Sequence, residues 1–393
     1  MEKRQTCDLA GIWRFEIDKE DRGFAEHWEK RRLTQTITLP GCLQAQGYGD
    51  AISEDTPWVQ SLYDALWYQR GEYAYAQENG TKVPFLSQPP RHYTGKAWYQ
   101  KTIFVPEKSD GFVGRLTLEN TKWKTTIWID GECKGSIVSL CAPHVYETGA
   151  LSAGEHTVTL CIDNGWQLPY RPDGHGVSDA LGATWNGVAG AITLELFNRV
   201  WIERVWVNAQ LPQAAIQVHL KNETSDTQNC IVLVQDIART DISAEMICVL
   251  TPGSQICELT LNYPSDTPLW DEFDQGLQHL IVTLSYISNA LQGKMQSSIT
   301  QLPLQSKEMV SQFSKVVLQT KEVTFGFRRA EVKDGHFVIN GRNTYLRGTH
   351  FGGDYPLSGI PDCGSAYWDK IMETVKTWGM NFIRCHSYCP PDR

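Results

Sequence analysis

Apolar and polar residues alternate through most of the first 320 positions, and near the end of the chain this period gives way to a helical one. Leu116 and Leu118, then Val158, Leu160 and Ile162, then Ile192, Leu194 and Leu196 with Thr193 and Glu195 between them, each place apolar side chains at every second position. That spacing predicts strands with one buried face. Ile127-Trp-Ile-Asp-Gly131 adds a hairpin, because Asp-Gly supplies the positive φ angles of a two-residue turn. No helical pattern of comparable strength interrupts residues 1 to about 205, so a two-sheet sandwich is expected there. From about Pro212 the alternation restarts: Ile216, Val218 and Leu220 stand against Gln217, His219 and Lys221. It continues through Leu280, Val282 and Leu284 to about Thr320, as in a small immunoglobulin-like spacer. A third hairpin is expected at Phe337-Val-Ile-Asn-Gly341.

The last fifty residues follow another rhythm. Trp368, Ile371, Met372, Val375 and Trp378 recur at the spacing of one helical face, with Ser365 placed to cap the start and Gly379 the end. Tyr345-Leu346 and Phe382-Ile383 flank that helix as short apolar runs, which predicts two buried parallel strands joined by a crossover. Parallel strands end on one side, so Arg347, His350, Arg384 and His386 are expected on a common rim. In a β/α barrel that rim carries the active site. The connection from Thr349 to about Gly364 exceeds the usual 2–6 residues and is read as a wall of the pocket. A barrel takes roughly 250 residues, and the chain stops at Arg393.

Two connections rich in aromatics, Gly and Pro, from Gly41 to about Gly95 and from Asn164 to Gly190, are also long enough to be ordered insertions with a task. The second contains Asp173-Gly-His-Gly176, Ser178-Asp179 and Thr184-Trp-Asn-Gly187. A Trp beside Asn and Asp offers a pyranose a ring to stack on and groups for its hydroxyls, while Asn-Gly alone is more often just a tight turn. Fourteen Trp and fifteen Tyr suit either sugar binding or the cores of an all-β protein. A net charge of −9 argues against a nucleic-acid surface. The eleven cysteines lack the compact spacing of a disulfide scaffold. Cys385 and His386 are neighbours on a strand, so their side chains point to opposite faces and cannot pair as nucleophile and base. With Cys363 and Cys389 they match no structural zinc spacing, and no metal site is expected. Met1-Glu-Lys-Arg-Gln opens no signal peptide, and no apolar run reaches the ~20 residues of a membrane span. The expectation is a cytoplasmic protein without a membrane partner, or a secreted or periplasmic one if further residues precede Met1. Asn79-Gly-Thr81 and Asn222-Glu-Thr224 fit the glycosylation pattern, which matters only in a eukaryotic secretory setting.

The order of parts and several short words resemble family 2 of the glycoside hydrolases, which contains β-galactosidases, β-glucuronidases and β-mannosidases. The words are Leu9-Ala-Gly-Ile-Trp-Arg-Phe15, Leu39-Pro-Gly41, Trp98-Tyr-Gln100, Pro143-His-Val-Tyr146, Trp185-Asn-Gly187, Phe325-Gly-Phe-Arg328, Asn340-Gly341 and Tyr345-Leu-Arg-Gly348. The resemblance implies a mostly β chain: a jelly-roll sugar-binding domain over residues 1–208, an immunoglobulin-like sandwich over 209–323, and the first β-α-β of a truncated TIM barrel over 324–393. It also implies retaining hydrolysis of O-glycosyl bonds at terminal sugars, β-galactosidase-like, by two glutamates that would lie beyond Arg393. Neither can be matched to a Glu of this chain, since Glu331 and Glu373 fall on a hairpin and mid-helix.

Arg384 resembles the arginine that ends the second barrel strand and would hold the nucleophile carboxylate ionised and oriented. His386 resembles a neighbouring sugar-contacting histidine, although the β-galactosidase order is Arg-Cys-Ser-His. His350 stands where well-known members carry Asn. Asp179, Trp185 and Asn186 are the remaining candidate substrate contacts. The resemblance calls for no organic cofactor; some members bind Mg²⁺ or Na⁺ near the site, and the sequence displays no ligands for either. The expected partners are a carbohydrate substrate and either a second copy or a complementing barrel fragment. The alternative reading is a non-catalytic carbohydrate-binding or complementing subunit, since both sandwiches are complete while the catalytic carboxylates are not found.

Overall fold

The computed structural model describes residues 5–53, 55–58, 89–140, 142–167, 184–287, 302–303, 315–353, 355, 358–386 and 390. The chain forms two compact units. One holds Thr6–Asp110, Gly114–Glu195 and Arg347–Arg393; the other holds Leu196–Leu346 with Met1–Gln5 and Gly111–Val113. Strands dominate, and the helix Ser365–Thr377 is the longest helical element among the described residues. No described helix is long and apolar enough to cross a membrane.

The first unit is built on a six-stranded sheet in the order Gln35–Leu39, Gly11–Asp18, Lys96–Val105, Gly154–Asp163, Lys124–Ile129, Glu132–Val138. A four-stranded sheet runs Gln5–Asp8, Ile192–Phe197, Phe112–Leu118, His144–Leu151. Alternation explains which side is core. Trp13 and Phe15 are fully buried, as are Leu116, Leu118, Val158, Leu160, Ile162 and Ile192. Burial of each such side chain contributes roughly 1.5–3 kcal/mol. The Asp130-Gly131 hairpin forms as expected, with φ of 51° and 80° at its two turn residues.

On the opposite face of the six-stranded sheet, Trp98 stacks on Trp128 with ring centres 5.0 Å apart. The loop after Gly11–Asp18 folds back over them. Asp18 accepts hydrogen bonds from the Arg22 and Gly23 amides and from Trp98 Nε1, and Phe24, Trp28 and Leu33 pack on the rings. A Cβ at Gly23 would lie 2.3 Å from the Trp98 ring nitrogen, so only glycine lets the loop approach this closely.

The second unit is a smaller sandwich. A three-stranded sheet runs Val200–Gln210, Gln213–Asn222, Gly253–Asn262; a five-stranded one runs Leu302–Pro303, Ser243–Leu250, Gln228–Asp236, Leu277–Ile287, Lys315–Gly326. Val200–Gln210 pairs along its length with Gln213–Asn222, and its inward Val200 and Ile202 share a core with Ile216, Val218 and Leu220. The sandwich alternation therefore starts one strand before Pro212. Ala330–Lys333, His336–Ile339 and Arg342–Thr344 follow as a meander. Its Asn340-Gly341 turn is pinned where Asn340 accepts from the Arg329 amide and donates to the Trp270 carbonyl.

In the last segment the parallel pair forms, but its first strand lies at Gly348–Phe351, not at Tyr345-Leu346. Tyr345 is 78% exposed and Leu346 also lies at the surface, so the apolar run that suggested the strand is not buried. Phe382–Cys385 is the second strand, as expected. The helix between them starts without a side-chain cap: Gly364 is its N-cap and Ser365 its first residue, which corrects the expected capping role of Ser365. Gly379 follows its end at φ 72°.

Candidate active site

In a parallel pair, residues in register share a face. His350 is paired with Arg384, Phe351 with Cys385, and the His386 amide extends the ladder to the Phe351 carbonyl at 2.8 Å. His350, Arg384 and His386 thereby gather on one side, with the two imidazole rings 5.5 Å apart. Phe351 and Cys385 belong to the other side, where the Phe351 ring meets Trp368 of the helix at 5.3 Å. Trp368 is buried there, and its Nε1 donates to the Asp362 carbonyl. The helix thus covers one face of the pair and leaves the cationic and imidazole groups on the opposite one.

Arg347 does not join this rim. Its Nε donates to the Gly379 carbonyl at 2.7 Å and its amide to Asn381 Oδ1, so it ties the entry of the first strand to the residues just before the second. The shift of the strand from Tyr345 to Gly348 is what moves Arg347 to the entry end.

The long first loop does meet a wall. Ser358 and Ile360–Gly364 border a cleft of about 460 Å³ whose other side is Asp8, Ala10, Pro40, Gly41, Glu119 and Ala189–Ala191. Asn120 Nδ2 donates to Cys363 Sγ at 3.5 Å, and burial pushes the Cys363 thiol up to about 11. A thiol in that state is not a nucleophile near neutral pH. Among the described residues no group of acidic, His and Cys side chains is arranged to hold a metal ion.

The sandwich edge facing this loop is where Leu39-Pro-Gly41 and Trp185-Asn-Gly187 come together: Gly187 pairs with Cys42 and Val188 with Gly41. At Gly187, with φ 147°, a Cβ would stand 2.2 Å from the Gly41 carbonyl oxygen, so a side chain there would part the two strands.

Asn186 beside it is wholly buried. Its Oδ1 accepts from Tyr99 OH at 2.7 Å; its Nδ2 donates to the Gly95 and Ile162 carbonyls at 2.9 Å each. The backbone amide reaches Gln44 Oε1, and the carbonyl accepts from Leu43. With its Nδ2 hydrogens both taken and no surface exposed, this amide is out of reach of a sugar. Trp185 is also buried. Both are scaffold, which corrects their expected place among the substrate contacts. Asp179 lies outside the described residues.

Sequence reading missed Gln44 and Tyr99, the partners of Asn186. It also missed what Pro143-His-Val-Tyr146 does. His144 Nε2 lies 3.2 Å from the Ser139 carbonyl and Nδ1 lies 2.5 Å from Thr125 Oγ1, while Tyr146 OH donates to the Thr125 carbonyl. A carbonyl can only accept, so Nε2 carries a proton.

Two β-sandwiches and a parallel β-α-β segment with clustered Arg and His define the class as a multidomain, mostly β protein. The resemblance to glycoside hydrolase family 2 is met by similar proteins: β-glucuronidases align with 42% and 76% of this chain, and solved structures of like fold, one a family 2 β-galacturonidase, cover it almost end to end. No family model matches the sequence. The β-glucuronidase of Paenibacillus borealis is 26% identical over 170 residues, 42% of this chain and 22% of that protein. In fold, the chain is similar to the β-glucuronidase of Bacteroides uniformis, with a TM-score of 0.69, 16% identity and coverage of 99% of this chain and 40% of that one. It is also similar to a family 2 β-galacturonidase of Eisenbergiella tayi, with a TM-score of 0.65, 14% identity and coverage of 99% and 54%. The chain spans between about a fifth and a half of these proteins' lengths.

Proposed function

We propose that this chain supplies the substrate-binding and supporting half of a retaining β-glycosidase that acts on terminal acidic sugars. The observation that carries the reading is the gathering of His350, Arg384 and His386 on the face of the parallel pair away from the helix. A guanidinium on the same face as two imidazoles is a place for carboxylates, whether the enzyme's nucleophile or a substrate uronate. Most of the similar proteins are β-glucuronidases or β-galacturonidases, with a putative β-galactosidase among them, which favours the acidic sugar over the neutral galactoside that the sequence first suggested. In a retaining mechanism two carboxyl groups about 5–5.5 Å apart make and then hydrolyse a glycosyl-enzyme. Within this chain Glu331 is ion-paired to Arg329 and Glu373 is exposed on the helix, so the proposal assigns both carboxyls to other barrel strands.

The test is hydrolysis of 4-nitrophenyl β-glucuronide, β-galacturonide and β-galactoside by the full-length gene product, and by this chain with and without a separately expressed barrel fragment. The expected result is turnover of a uronide by the full-length protein or the mixture and none by this chain alone. Arg384→Ala should lower kcat/KM by roughly 10- to 100-fold, the scale of losing a hydrogen-bonded charged partner. Preference for the galactoside, or no glycosidase activity in the full-length protein, would overturn the proposal.

A further inference from the structure

On the outer face of the six-stranded sheet the Phe24–Leu33 loop covers only the end that carries Trp98 and Trp128. The other end is open. Two neighbouring clefts there, of about 650 and 390 Å³, share Arg14, Arg32, Gln100 and Thr102 as walls. Strand geometry accounts for the grouping: Arg14 pairs with Thr36 on one side and Gln100 on the other, and Thr157 of the next strand pairs with Thr102.

The charges around these clefts are mostly engaged. Arg31 forms a two-pronged pair with Glu16 at 2.9 and 2.6 Å. Lys101 donates to the carbonyls of Ala10 and Ile12. Of the carboxylates, Glu29 faces His27, and Asp130 takes His156 and the Thr157 amide. The Arg14 and Arg32 side chains have no ion pair and no hydrogen bond among the described residues, in a chain with 45 acidic and 36 basic side chains.

We propose that this open face binds a carboxylate-bearing oligosaccharide, at a place separate from the face of His350 and Arg384. Guanidinium forks match carboxylates in two-pronged geometry, so Arg14 and Arg32 are suited to successive uronate groups. The Thr36 and Thr102 hydroxyls, which line the same clefts, suit sugar hydroxyls. Ile12, 71% exposed beside them, offers an apolar surface to the C–H side of a ring. Choosing a uronate chain over another anion rests on the acidic-sugar reading above; the anion site itself rests on the two unpaired guanidiniums.

Titration calorimetry with oligogalacturonate, against neutral β-1,4-galactan and duplex DNA, tests this. Oligogalacturonate should bind with an affinity that falls as salt rises, and galactan and DNA should bind far more weakly. Arg14→Ala and Arg32→Ala should each weaken binding roughly tenfold, and Arg14→Lys less, because it keeps the charge without the fork. Arg32 is exposed and Arg14 half-buried without a side-chain partner, and circular dichroism should report an unchanged fold in each variant. Binding that survives the double Ala variant, or equally tight binding of DNA, overturns the inference. So does a change of oligomeric mass in the double variant, which would make this face a contact between copies. Hydrolysis of the small 4-nitrophenyl uronides by the full-length double variant should stay unchanged. Loss of binding without loss of that activity separates this face from the proposed active site, and absent hydrolysis with intact binding counts against the proposed function alone.

Discussion

A buried amide holds the sandwich edge together, and its role can be tested by removing it. Asn186→Ala would leave the buried Tyr99 OH without its partner and take one donor each from the Gly95 and Ile162 carbonyls, Gly95 keeping the Asn164 amide. The expected loss is roughly 1–3 kcal/mol, read as a fall in Tm by circular dichroism; a sugar-contact role would instead leave Tm unchanged and lower ligand affinity. His144 carries a pH signature. Burial lowers its pKa below the ordinary 6.5, with partial compensation from the Ser139 carbonyl. A depressed pKa means stability that is present above 6.5 and lost as pH falls through the folded value. His144→Gln should flatten that acid limb in a series of melting curves. His156 works the other way: burial opposes its charge, but the Ser152 carbonyl and Asp130 outweigh it and raise the pKa, so its contribution fades as pH rises. None of this was legible in Trp-Asn-Gly or Pro-His-Val-Tyr, because an amide or imidazole takes its role from groups far away in sequence. Gln44 lies 142 residues from Asn186.

Turns and strands were far more legible than the roles of single polar groups. Asp130-Gly131 and Asn340-Gly341 adopt the positive φ values that their residue types favour. Gly187→Ala should break the pairing of Gly187–Val188 with Gly41–Cys42, since the new Cβ would meet backbone at 2.2 Å and could not be accommodated by a rotamer change. Lower Tm and faster amide exchange at Cys42 and Val188 would report it. The strand misread at Tyr345 shows the limit of an apolar run as a signal, for Gly348–Phe351 is chosen by pairing with Phe382–Cys385 and by Phe351 packing on Trp368. Among the described residues Phe382–Cys385 has one strand neighbour, whereas Gly154–Asp163 has two. Hydrogen exchange in the isolated chain should therefore be faster at Phe382–Cys385 than at Val158–Ile162, and slow down there when a barrel fragment is added. Equal, slow exchange in both segments would count against that expectation.

At the scale of the molecule, periodicity and a set of short words were enough to announce two sandwiches, a parallel β-α-β segment and a likeness to family 2 glycoside hydrolases. Residue patterns reach that far because inward and outward positions alternate with a period set by the backbone itself, and because turn residues are selected by local φ and ψ. The tertiary structure decided what the polar residues do. Register between strands brought His350, Arg384 and His386 onto one face and kept Arg347 at the other end of its strand. Packing turned Trp185 and Asn186 from candidate contacts into scaffold, and left Arg14 and Arg32 unpaired on an open sheet. Each of these outcomes depends on which distant segment lies alongside, and no local pattern encodes that.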